Sequence, residues 1–161
     1  MRVSAKADYA LRALIEMGAR GAGDIGQGGD AGRPVSAEEL GRLQGIPHNF
    51  LQAILADLRR SGIVLAQRGQ SGGWRLAKPA ATVTVADVIR AVDGPLVSVY
   101  GLRPEAVSYN ERADALQRVW IAARHSLRDV FEQVSVADLV AGALPPEVAR
   151  LTEDEDAWQP H

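Results

Sequence analysis

The residues best suited to chemistry are His48, Asn49, Gln52, Arg59 and Arg60, all off the apolar face of one short segment, with Arg68 just beyond at the head of a glycine-rich turn. The amides of Asn and Gln can bond bidentately to the edge of adenine, and a histidine can donate to a base or a phosphate. An arginine at a protruding turn can enter a narrow minor groove, where the negative potential is strongest. This is a set of groups for holding a polyanion with a readable edge rather than for breaking bonds. The three histidines, His48, His125 and His161, are scattered, and there is no cysteine nucleophile and no phosphate loop, so catalysis is not expected.

The elements that would position those groups lie between Ser36 and Lys78. Ser36 and Glu39 have the S-x-x-E spacing of a helix-capping box. Leu40 and Leu43 offer an apolar face, Gly45 a turn, Ile46 an anchor, and Pro47 suits the first turn of a second helix. Phe50, Leu51, Ile54, Leu55 and Leu58 then fall on one helical face, and Gly62 supplies the stop. Two helices and a glycine also fit a plain helical hairpin. The segment after Gly62 shifts the balance: β-capable runs at residues 63–67 and 74–76 flank Arg68, Gly69, Gly72 and Gly73, whose glycines allow a tight turn and close backbone approach. Helix, turn, helix and hairpin in that order predict a winged helix-turn-helix.

Charge is divided along the chain. Residues 1–78 hold 11 Lys and Arg against 7 Asp and Glu, a net of +4, whereas residues 79–161 hold 7 Arg against 13 acids, a net of −6. The overall −2 therefore hides a positive head suited to phosphates. The absence of cysteine excludes disulfides and no run reaches the length of a membrane span, so a cytoplasmic protein is expected. The six glycines of residues 21–34 read as a flexible loop, Thr84 as a helix N-cap with Asp87 in the first turn, and the residues after Pro146 as a short helical turn leading into a mostly disordered acidic tail.

Leu116, Trp120, Ala123, Leu127, Val130 and Val134 are spaced 4-3-4-3-4, a heptad seam along a helix predicted from about residue 109 to 133. An intramolecular core helix would show the same spacing. Tyr100, Arg103, Tyr109 and Trp120 could line a pocket for a planar or anionic ligand, or simply pack together. His125 and Asp129, four apart, read as a surface pair, since two ligands make a poor metal site.

Several of these segments together resemble the IscR/NsrR/CymR (Rrf-two) family of bacterial winged-helix regulators. They are residues 1–10 (MRVSAKADYA), Gly45-Ile46, Phe50-Leu51, residues 58–64 (LRRSGIV), Arg68-Gly69-x-x-Gly72-Gly73-Trp74, residues 85–93 (VADVIRAVD) and residues 134–139 (VSVADL). The resemblance implies a helix that meets base edges through His48, Asn49, Phe50 and Gln52, phosphate contacts from Lys6 and Arg59, and a wing reading groove shape through Arg68 with Gly69, Gly72 and Gly73. It also implies that the long helix pairs with its twin across a two-fold axis. Relatives that sense iron, nitric oxide or redox state carry three cysteines in the segment occupied here by residues 94–109, which has none. A conventional iron–sulfur cluster is thereby excluded and no cofactor is expected. Asp8, at a position resembling a carboxylate ligand in some relatives, reads as a surface charge facing Arg12.

The expectation is a mainly α fold with three parts. Residues 1–80 form a winged helix-turn-helix with a two-stranded wing, residues 81–145 a linker helix and dimerisation helix, and residues 146–161 the tail. Its expected function is that of a homodimeric, sequence-specific transcriptional regulator, a repressor, on a roughly palindromic double-stranded operator, open to control by a small ligand or protein partner. The competing expectation is a protein-interaction module that keeps the fold without specific DNA binding.

Overall fold

A computed structural model describes residues 2–21 and 33–160. The expected glycine-rich loop falls almost wholly outside these residues. The described chain runs α1 (Ala5–Ala19), α2 (Ala37–Gln44), α3 (His48–Arg60), β1 (Val64–Gln67), β2 (Gly73–Leu76), α4 (Val85–Asp93), α5 (Asp114–Phe131), α6 (Val136–Ala141) and α7 (Pro146–Arg150), with 3-10 turns at Ala80–Thr82, Pro104–Ala106 and Glu155–Trp158. It is mainly α with one two-stranded antiparallel sheet, as expected.

The central element is α1, against which α2, α3, α4, α6 and β2 all pack. Its buried face is Ala7, Ala10, Ala13, Leu14 and Met17, and the three alanines keep the neighbouring helices close. Gly18 serves the same end, because a Cβ there would lie 2.9 Å from a Val140 methyl of α6. At its head, Ser4 accepts from the Ala7 N–H at 2.9 Å and donates to the Asp93 carboxylate at 2.5 Å, tying the start of α1 to the end of α4.

The helix pair of the turn motif is fixed by backbone geometry. Gly45 adopts a left-handed conformation (φ 62°), and the Ile46 N–H donates to the Gly41 carbonyl at 3.0 Å. Ser36 caps α2 as expected, but Glu39 does not return the bond; its carboxylate accepts from Arg20, which also pairs with Glu16. These two carboxylates raise the Arg20 pKa above its ordinary value. From α3, Leu51, Ile54, Leu55 and Leu58 are fully buried, each stabilising the fold by roughly 1.5–3 kcal/mol. Phe50 and Leu43 depart from the expected apolar faces: both stand exposed, Phe50 at 52%.

The wing pairs Val64 with Leu76, Leu65 with Arg75, Ala66 with Trp74 and Gln67 with Gly73. Val35 adds a bridge to the outer side of β2, exchanging hydrogen bonds with Trp74 at 2.7 and 3.0 Å. Gly73 has to be glycine for that reason, since a Cβ would sit 2.6 Å from the Val35 carbonyl oxygen.

Two capping boxes stand side by side farther on. Thr84 with Asp87 starts α4 as expected, and Ser135 with Asp138 starts α6. Their chains exchange backbone bonds, the Val85 N–H to Val134 O at 2.9 Å and the Val136 N–H to Val83 O at 2.8 Å. Val134 therefore lies past the end of α5 and is buried within its own chain beside Val85 and Val148. It is not part of the exposed seam to which the heptad spacing assigns it. The short helical turn expected after Pro146 is α7, whose Val148 seals this small second core; beyond it, where disorder is expected, the Trp158 indole N–H donates to Thr152 O at 2.7 Å.

The helix α5 starts five residues later than the spacing predicts, and none of its 18 residues is buried. Leu116, at 39% exposed, Val119 and Ile121 project from it, and the Trp120 indole N–H is enclosed without an acceptor. Gln117 anchors the helix to the preceding turn, donating to the Val107 carbonyl at 2.8 Å and to that of Pro104 at 3.2 Å.

Candidate nucleic-acid interface

On α3 the outward face is continuous: His48, Asn49, Phe50, Gln52, Ala53, Ala56, Arg59 and Arg60 are all exposed. Long polar groups stand at its head, two alanines in its middle and two arginines at its end. The alanines leave room for a groove wall to come close to the helix, and their methyls can meet a thymine methyl. No side chain caps the helix start at Pro47, so the first-turn N–H groups keep their donors for an anion.

Asp57 is the single acidic residue of α3, and it is neutralised. Lys6 reaches its carboxylate at 2.5 Å, and Arg60 also pairs with it. The Lys6 ammonium further donates to the Val92 carbonyl at 2.7 Å. Lys6 is thus an internal clamp joining α1, α3 and α4, which removes it from the free phosphate contacts expected of it. Phe50 is held edge-on to Tyr9, with ring centroids 6.2 Å apart, and Arg12 also lies against Tyr9, 5.5 Å from its centroid. Arg12 also reaches Asp8 at 3.4 Å, as its spacing predicts, and donates to the Gln44 carbonyl at the end of α2.

At the wing, Arg68, Gly69, Gln70 and Ser71 are exposed. The turn closes through the Gly72 N–H to Gly69 O at 3.0 Å, with Gly69 at φ 110°. Gly72 and Gly73 are half-buried against neighbouring backbone, where a Cβ would collide with Gln67 O or Val35 O respectively. Their role is to shape the hairpin, while Arg68 and Gly69 form the part open to a ligand. Arg75, which no sequence motif singles out, is half-buried on β2 with its Nε enclosed and unpartnered. Among the described residues, the side chains of His48, Asn49, Gln52, Arg59 and Arg68 bond to no other protein group.

The expected aromatic pocket is not assembled. Tyr100 is 92% exposed at φ 54°, and the cavity that Arg103 borders is lined, among the described residues, without Tyr100, Tyr109 or Trp120. His125 and Asp129 are an exposed pair 3.6 Å apart. Among the described residues no three His, Asp or Glu side chains are grouped to hold a metal ion, and no helix is long and apolar enough to cross a membrane.

Comparison with known proteins fits this geometry. Residues 3–142 match the Rrf2 family, described as iron-dependent transcriptional regulators. An HTH-type transcriptional regulator of Mycobacterium tuberculosis is 40% identical over 159 residues, covering 99% of this chain and 93% of the relative. The structure of CymR, the global cysteine regulator of Bacillus subtilis, superposes with a TM-score of 0.69 at 25% identity, over 89% of this chain and 98% of that one. The IscR structure from T. potens shares the fold with a TM-score of 0.64 at 24% identity, covering 100% of this chain and 93% of that one.

Proposed function

The chain belongs to the Rrf2 family of transcriptional regulators, and from that premise we propose that it is a homodimeric repressor that binds one roughly palindromic operator. In this reading α3 enters a major groove, with His48, Asn49 and Gln52 at the base edges and Arg59 on a phosphate. Arg68 enters the adjoining minor groove. The exposed face of α3 carries the reading. It combines free amide and imidazole groups, two alanines that permit close approach, and a carboxylate silenced by Lys6.

Dimerisation is proposed along α5, whose Leu116, Trp120, Ala123, Leu127 and Val130 have no cover sufficient to bury them within one chain. A two-fold pair would set two copies of α3 about 34–36 Å apart or a multiple of that. The compartment proposed is the cytoplasm, where its DNA lies.

The family's iron dependence does not fit this chain's donor set. There is no cysteine, residues 94–113 contain no histidine, and the Glu105 carboxylate there is held by Arg124 at 2.5 Å. No step of the mechanism runs through a cluster.

The direct test is fluorescence anisotropy on DNA from upstream of the protein's own gene, with excess nonspecific competitor at two salt concentrations. Tight binding that weakens with salt yet survives competitor is the expected result. Binding abolished by competitor, on this DNA and across a genomic-fragment selection, would leave the fold as a protein-interaction module.

A further inference from the structure

A cavity of about 500 Å³ opens between α4, α5 and the Pro104–Ala106 turn, walled by Arg90, Arg103, Arg124 and Arg128, with Glu105 the one carboxylate in its lining. We propose that this arginine cleft binds a small anion carrying two or more carboxylate or phosphate groups, and that this anion is the effector that resets the dimer helix. The binding half stands on the cleft alone; the effector half rests on the proposed role as a regulator.

The charges in the cleft are arranged but not balanced. Arg124 pairs with Glu105 at 2.5 Å, while Arg90 and Arg128 share the single carboxylate of Glu132, Arg128 at 2.9 Å. Arg103, among the described residues, has no ion-pair partner at all. With Asp87 also 3.8 Å from Arg90, four guanidiniums face three carboxylates, and the surplus positive charge falls to Arg103 at the opening. Guanidinium forks match carboxylate and phosphate oxygens bidentately, so an anion with several such groups can engage Arg103 and the neighbouring forks together. The volume lies within the range of small-molecule sites, and Pro95 and Leu96 add an apolar wall. Nothing from α3 or the wing borders the cleft, which separates it from the proposed DNA face.

The same contacts connect the cleft to the subunit pairing. Glu132 ends α5, and Arg90 on α4 holds it there. An anion that recruits Arg90 and Arg128 competes with Glu132 for them, and so loosens or re-sets the link between α5 and the body that carries α3.

The test is isothermal titration of the full chain with citrate and, separately, pyrophosphate, at constant ionic strength. Saturable binding of one probe per chain is expected, and the stronger probe tells a carboxylate site from a phosphate site. Arg103→Gln should weaken it about tenfold or more, as loss of a charge-assisted bond does, with Arg124→Gln acting alike. Arg118→Gln, on α5 outside the cleft, should leave it unchanged. Absence of saturable binding by either probe, or an equal loss in Arg118→Gln, overturns the site. A shift of Arg103→Gln to monomer in light scattering overturns it too, by assigning the arginines to the partner chain. In the anisotropy assay the better probe should change operator affinity for the wild type and not for Arg103→Gln. Probe binding with unchanged operator affinity overturns the effector role alone, and probe binding by a chain that binds no operator overturns the regulator reading instead.

Discussion

The Lys6 ammonium lies 2.5 Å from the Asp57 carboxylate and 2.7 Å from the Val92 carbonyl oxygen, so one side chain from α1 holds both α3 and α4. Asp57 is only 12% exposed, so cutting the clamp leaves a largely desolvated carboxylate with Arg60 alone beside it, on the helix proposed to face DNA. Lys6→Met should cost about 1–3 kcal/mol in urea unfolding, in line with loss of hydrogen bonds to a charged group. It should also weaken operator binding, and adding Asp57→Asn should restore part of that affinity. A urea midpoint equal to the wild type would refute the clamp.

Ala53 stands exposed in the middle of α3. Ala53→Glu should therefore leave thermal stability within about 0.5 kcal/mol of wild type, as exposed substitutions do. Operator affinity should nonetheless fall at least tenfold, because bulk and charge arrive where the groove is closest. Arg68→Ala is expected to cost about 1–3 kcal/mol of specific binding, whereas Gln52→Ala should change preference at one base position. Undiminished operator binding by Ala53→Glu would take α3 out of the groove.

Gly73→Ala puts a Cβ 2.6 Å from the Val35 carbonyl at a φ of 153°, whereas Gly69→Ala meets no atom within 4 Å. The first should break the Val35–Trp74 bridge and lower the melting temperature by several degrees. The second should show only the backbone cost of a left-handed residue, about 1–2 kcal/mol. Amide exchange at Val35 and Trp74 separates the two cases, since only the first should lose protection there.

Ala123→Glu on α5 should yield a monomer by light scattering at micromolar concentration. Its far-ultraviolet helical content should be retained, because this residue supports nothing inside its own chain. A persistent dimer would place the interface elsewhere.

Hydrogen bonds from Arg128 and then Arg90 hold the Glu132 carboxyl at a pKa of about 2, below its ordinary 4.5. The folded state thus binds that proton less readily than the unfolded state. The stabilisation from this group is complete above about pH 4.5 and is lost as the pH falls towards about 2. Thermal melts between those limits should fall less steeply for Glu132→Gln than for the wild type, and equal slopes would contradict the pairing.

Local signals were the legible ones. Gly45, Gly62, the Thr84–Asp87 box and the buried face from Leu51 to Leu58 announce themselves because each depends on neighbours within one turn. Phe50 belongs to the apolar spacing, yet Tyr9, from a distant helix, determines where its ring lies. Lys6 has the type of a phosphate ligand, and only the fold shows that Asp57 already occupies it. Val134 continues the heptad count past the end of the helix, where the Val85 N–H captures its carbonyl instead. The arginine cleft collects residues from two helices and a turn, none distinctive alone, so no spacing rule could have found it.

In the proposed dimer, the eighteen residues of α5 without one buried side chain would make stability depend on how much protein is present. Whatever covers that helix adds its binding free energy to the fold by mass action, so the melting temperature should rise with concentration. Each chain diluted away from such a partner would become both a weaker ligand for DNA and a better substrate for proteolysis. Expression level would then set not only occupancy of the proposed operator but also the lifetime of the regulator itself.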